Sequence, residues 1–310
     1  PRLLQRMGGV PASQPAKLTG KPADDYPPAI DPRVYFRVNP NHRFIRQMDQ
    51  YPQEAANLLK MHGKFVGFSI GTGHPALTFN KRIFREAAEL YPELLDERGE
   101  PRAPRTWMEL LQTARKIRDY GKKLQAEGKK PVAGIIIQGK AEKDIMRGIE
   151  PLAATAGTRG YNYRTGRYEY DNDAILAAFK LLLILKTEGC VLEGTGSREF
   201  EDARASLGAG EAGMIIDGWH AAMIAAQRVP YSKNDLGNAP IPVPYRDEQE
   251  KAQILKLLNV RDLGRGKVWR ELGMSTMCIT SACADPEAAW TWMTFGNAPE
   301  QYLKELRRGG

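Results

Sequence analysis

Apolar and polar positions along the chain follow two periods. In "PRTWMELLQTARKIRDYGKKL" (104–124), Leu110, Leu111, Ala114 and Ile117 recur three or four apart, the spacing of one helix face. Thr106 stands before that run with Glu109 three residues on, a capping-box start. "DNDAILAAFKLLLILKTEG" (171–189) is a second capped helix, apolar around most of its circumference, which predicts burial on two sides. "REFEDARASLGAG" (198–210) is a third, with Phe200, Ala203 and Leu207 on one face and Gly210 at its end. "DPEAAWTWMTF" (285–295) is a fourth, with Asp285 as N-cap and Pro286 at the first helical position.

Between the helices lie short continuous apolar runs, the pattern of buried strands: "GKFVGFSI", "PVAGIIIQG" and "GMIID". "ALTFNKRIFREAAELYPELL" reads as a strand running into a helix, entered through a turn at "GTGHP" (71–75). "LGNAPIPVP" is a strand stopped by prolines, and "ELGMSTMCITSA" is a strand pair or one bent strand. The first 60 residues are rich in Pro and basic residues and read as extended chain, with one helix near residues 41–62. Strands alternating with helices of 10 to 20 residues are the mark of an α/β fold with parallel strands covered by helices. No internal repeat is visible. The length of 310 residues fits two domains of about 150 each.

Composition narrows the function classes. At 42% hydrophobic and 26% charged residues the chain has enough apolar content for a core. The net charge of +8 is scattered with no run of five basic residues, so nucleic acid is not expected as a partner. No apolar run reaches the roughly 18 residues of a membrane helix. No signal peptide is visible, and the start at Pro1 reads as a fragment or a processed form. Three cysteines (Cys190, Cys278, Cys283) do not make a disulfide framework; the last two read as a structural pair or two free thiols. With no CxxC or HExxH, and four separated histidines, no metal and no cofactor are expected.

Catalytic motifs are missing. There is no GxSxG, no complete GxGxxG and no GxxxxGK[ST], and carboxylate pairs such as those in "EFED" read as solvated helix faces. Attention falls instead on "AGMIIDGWHAAM" (212–223), where a short buried strand over Gly213–Asp217 turns through Gly218 and presents Trp219 and His220. In open α/β sheets the carboxyl ends of strands are where ligands bind. An aromatic face there stacks on a sugar's C–H face. Position alone leaves Trp219 open between core and ligand floor. Trp107, by contrast, starts a capped helix and reads as packing.

Several segments then line up in order: "GKFVGFSIGTGHPALTFNKRIF", "PRTWMELLQTARKI", "LAATAGTRGYNYRTGRYEYDNDAILAAFKLLLILKTEG", "FEDARASLGAGEAGMIIDGWHAAM", "LGNAPIPVP" and "GMSTMCITSACADPEAAWTWMTF". Together these resemble the family 1 extracellular solute-binding proteins of bacterial ABC importers, the group that includes maltose-binding protein. The resemblance covers about residues 60–306. It departs from the family at "VGFSIGTG", where Tyr-Gly-x-Pro is usual, and Asn80 arrives earlier than the family's lobe-sized first block allows. The chain therefore reads as truncated, or unusually built, at both ends.

The resemblance implies an α/β, two-lobed periplasmic-binding-protein-like fold of type II with its ligand cleft between the lobes. Residues 1–75 and 243–310 would form the first lobe and 76–242 the second, with crossovers at Ala76–Thr78 and Pro240–Pro244. It implies an extracytoplasmic, monomeric, non-catalytic protein, periplasmic or held at the cell surface as a lipoprotein, that closes on a sugar or oligosaccharide and delivers it to a membrane ABC permease. Carried over by position, Trp219 is the cleft Trp, Thr72 and His74 lie in the loop before the first crossover, and Met274, Ser275 and Thr276 face the ligand. Tyr161 lies in a Gly-aromatic loop. His220 and Asp217 either bond hydroxyls or cap the following helix, and Asn80 fixes the crossover. Two other readings stand beside this one: a carbohydrate-active enzyme on an α/β scaffold, and a sensor or scaffold that uses the fold without transport.

Overall fold

The computed structural model describes residues 60–61, 64–65, 68–73, 75–140, 142–158, 161–162, 167–218, 221, 235–264, 273–277, 283–285, 288–289 and 291–293. The chain divides into two units, Pro1–Gly73 with Leu272–Gly310, and His74–Glu271. The first holds β1 (Lys60–Met61) paired antiparallel with β2 (Lys64–Phe65), and β3 (Phe68–Gly73) paired antiparallel with a strand at Gly273–Met277.

The second unit runs β4 (Pro75–Asn80), α1 (Lys81–Ala87), α2 (Trp107–Ala126), β5 (Ala133–Ile136) and α3 (Glu142–Thr155). The small hairpin β6 (Tyr161–Asn162) with β7 (Arg167–Tyr168) follows, then α4 (Asp173–Thr187), α5 (Phe200–Gly208) and β8 (Ala212–Gly218). β9 (Leu236–Ala239) and α6 (Glu248–Leu258) complete it, and the strand of the first unit at Gly273–Met277 is β10. The sheet order is β5-β8-β4-β9. Only β5 and β8 are parallel; β4 lies antiparallel to both β8 and β9. The all-parallel sheet expected from the βα alternation is thus a mixed one, because pairing is decided between segments far apart in sequence.

Side-chain alternation along the strands sorts the core onto two faces. Leu77, Ile135, Met214 and Ile216 pack with α2, α3 and α4 through Leu110, Ile117, Leu152 and Leu181. Ile136, Ile215 and Leu236 pack with Ala203 and Leu207 of α5. α2 lies so close on β5 that a Cβ on Gly134 would meet the Ala114 carbonyl oxygen at 2.3 Å, so only glycine fits there.

Local signals explain the helix starts. Thr106 accepts from Glu109 N at 3.2 Å, but the Glu109 carboxylate turns to Arg105 N rather than closing the reciprocal box. Asn172 caps α4 through Ile175 N, and Asn80 caps α1 through Arg82 N and Ile83 N. Trp107 is fully buried, and its Nε1 donates to the Pro242 carbonyl, which also accepts from Thr155 Oγ1. Asp285 accepts from Ala288 N at 2.9 Å, the cap expected for the last helix.

In the second unit, α6 packs on α2 and α4 with Ile254 and Leu258 buried, and Tyr245 OH donates to the Leu263 carbonyl. Several expectations need correction. "GTGHP" is strand through Gly73 and strand again from Pro75. α4 is buried on one face only; Leu176, Phe179 and Leu183 are 45%, 51% and 48% exposed. The helix near 41–62 falls outside the described residues except for Lys60–Met61, which are strand. α3 and α6 were not anticipated at all.

Candidate functional site

The carboxyl end of β8 is built by a buried charge. Met214, Ile215 and Ile216 commit the strand to the core, and Asp217 follows them still buried. A buried carboxylate requires partners. Arg204 on α5 supplies them: Nε donates to Oδ2 at 2.6 Å and Nη2 to Oδ1 at 3.1 Å. Gly218 N donates to the same Oδ1 at 2.6 Å, so Asp217 fixes the first backbone group beyond itself. Arg204 also donates to Glu201 at 3.1 Å, which balances its charge.

A second guanidinium borders this pair. Arg147, from α3, lies 3.8 Å from Asp217 Oδ1 with its side chain 43% exposed. Arg147 and Arg204 both stand over the Phe200 ring, at 4.7 and 4.8 Å from its centroid. Cations held on an aromatic face keep their orientation when partly exposed. Neighbouring β5 runs parallel to β8, with Ile136 opposite Ile215. Two residues past Ile136 stands Gln138, 3% exposed.

The residues expected from the sequence fall in four groups. Trp219, His220 and His74 lie outside the described residues. Thr72 and Met274 are register partners on β3 and β10, Ser275 stands opposite Gly71 and Thr276 opposite Ser69, with a register shift between Ser275 and Thr276. Tyr161 opens β6 opposite Tyr168. Asp217 is the one whose contacts are visible, and both its oxygens are engaged inside the protein.

Arg204, Arg147 and Gln138 escaped the sequence reading. The polar residue that ends "IIIQ" was a usable signal for Gln138. Arg147 carried none, since it sits on a helix interrupted by Pro151. Among the described residues no cluster of three His, Cys, Asp or Glu is placed to hold a metal ion, and no helix is long and apolar enough to cross a membrane. Cys190 is a buried free thiol, raised in pKa by burial, and Cys283 is also free.

No family model and no curated protein matches the chain. Solved structures do. The maltose-bound MalE3 of T. maritima matches with a TM-score of 0.59 and 22% identity, over 83% of this chain and 56% of that one. An ABC transporter solute-binding protein from Thermotoga lettingae TMO, bound with α-D-tagatose, matches at 0.62 and 19%, over 81% and 55%. Another from Agrobacterium vitis S4, with bound D-mannitol, matches at 0.56 and 19%, over 81% and 51%. The fold is that of the ABC-transporter solute-binding proteins. It is the α/β, type II periplasmic-binding fold expected from the motif order, and the chain spans about half the length of these structures.

Proposed function

We propose that this chain is the sugar-binding part of an extracytoplasmic solute-binding protein, periplasmic or anchored as a lipoprotein, that serves an ABC permease. It binds as a monomer, catalyses no reaction, and couples sugar binding to a hinge motion of its lobes. The observation that carries the reading is the fold: structures sharing it over four-fifths of this chain hold maltose, tagatose and mannitol. The ordered end of β8 supports it, because a strand end held by Arg204 and Asp217 gives a stacking residue at Trp219 a fixed base.

Affinity then comes from stacking plus several hydroxyl hydrogen bonds, each worth about 0.5–1.5 kcal/mol net. Thr72, His74, Met274, Ser275, Thr276, Tyr161 and His220 are the remaining proposed contacts. Asp217 anchors the strand end that leads to Trp219. Titration of the wild type and Trp219→Ala with a sugar panel, followed by intrinsic fluorescence, tests the assignment. A fluorescence change that saturates in the wild type and loss of most affinity in the variant are expected; equal affinity in both overturns Trp219 as the platform.

A further inference from the structure

Among the described residues, neither the Oε1 nor the Nε2 of Gln138 finds a hydrogen-bond partner, although the side chain is buried. Native proteins rarely leave a buried amide unpaired, and each such group calls for a missing partner. Gln138 lines a small cavity of about 10 Å³ together with Ile135, Ile137, Gly148, Leu182 and Ile216. We propose that Gln138 is a ligand-contacting residue of this site, and that the cavity beside it receives one hydroxyl of the bound sugar.

The inference rests on the sugar-binding reading and names a contact within it. Three observations carry it. The first is position. Gln138 leaves the carboxyl end of β5 two residues after the Ile136–Ile215 register pair, level with the end of β8. Gly148 and Ile216 in the cavity wall are the chain neighbours of Arg147 and Asp217.

The second is size: the space takes one water-sized group and not a ring. The third is chemistry. The amide offers a donor and an acceptor side by side, which a hydroxyl group answers with an acceptor and a donor. Of the side chains in the named wall only Gln138 is polar, so a free water there has the amide's two groups and no further side-chain partner, the low end of what a buried water needs. A hydroxyl carried on a sugar is held by the ring's other contacts and needs only the amide.

Gly148 supplies a test that does not threaten the fold. A Cβ placed there meets only Leu182 Cδ1 at 3.5 Å, an ordinary contact. Gly148→Ala therefore narrows the cavity while favouring the helix. Gln138→Leu removes a buried orphan amide and leaves the fold at least as stable.

Both variants and the wild type are titrated calorimetrically with the panel sugar the wild type binds best and with its single-deoxy analogues. The proposal expects each variant to keep or raise its melting temperature and to lose about tenfold or more in affinity. It also expects one deoxy analogue to bind the wild type more weakly and Gln138→Leu as well as the parent sugar does. Full affinity in both variants overturns the proposal, as does an equal loss in Gln138→Leu for every analogue. A wild type that binds no sugar overturns the sugar-binding reading itself, and this contact with it.

Discussion

Arg204 and Asp217 face each other across α5 and β8 as a buried two-point ion pair, 2.6 and 3.1 Å long, with each side chain at most 3% exposed. Breaking one side of such a pair strips a buried charge of its main partner, a cost of up to about 3–5 kcal/mol, of which Arg147 at 3.8 Å from Asp217 Oδ1 offsets a part. Arg204→Met is therefore expected to lower the urea midpoint sharply with little change in slope. Arg204→Met combined with Asp217→Leu is expected to recover most of the loss. A single variant as stable as the wild type would show that the pair does not hold this strand end.

Gly134→Ala tests the seat of α2 on β5. The new methyl would lie 2.3 Å from the Ala114 carbonyl oxygen, and backbone cannot yield as a flexible side chain does. A loss of about 1–3 kcal/mol in denaturant unfolding is expected, in the range of overpacked cores. Gly99→Ala is the control for positive φ alone, since no heavy atom stands near its Cβ position.

What the sequence made legible was local. The cap at Thr106, the capped helix at 171–189, the capped start at Asp285 and the buried runs at 133–136 and 213–217 all depend on neighbours a few residues away. α3 was hidden because Pro151 interrupts its pattern, although the helix continues through it. The antiparallel setting of β4 depends on partners at 214–218 and 236–239, which no local period encodes. The site divides in the same way. Asp217 was visible as a polar residue at a strand end, but its bond to Arg204 and the missing partners of Gln138 appear only once α5, β5 and β8 are packed.

Glu188 gives the acid side of stability a definite sign. It ends α4 and is clasped by Arg115 of α2, with Nε donating to Oε2 at 2.6 Å. That hydrogen bond holds the carboxyl below its ordinary range in the folded chain. A lowered folded pKa contributes stability that is present above the unfolded value of about 4.3 and is lost as pH falls through the folded one. Glu188→Gln is expected to be less stable than the wild type at pH 7, with the gap closing as the pH falls below about 4.3. A gap independent of pH would contradict the assignment; melting curves from pH 7 to pH 3 supply the check.

The most direct measurement is the melting temperature of the full chain with maltose, tagatose, mannitol and a wider set of neutral and acidic sugars, each titrated to millimolar concentration. A ligand at a hundredfold its dissociation constant adds about 2.7 kcal/mol to the folded state. Sugar binding by this fold predicts a saturable rise in melting temperature for at least one of them. No rise with any sugar would contradict it.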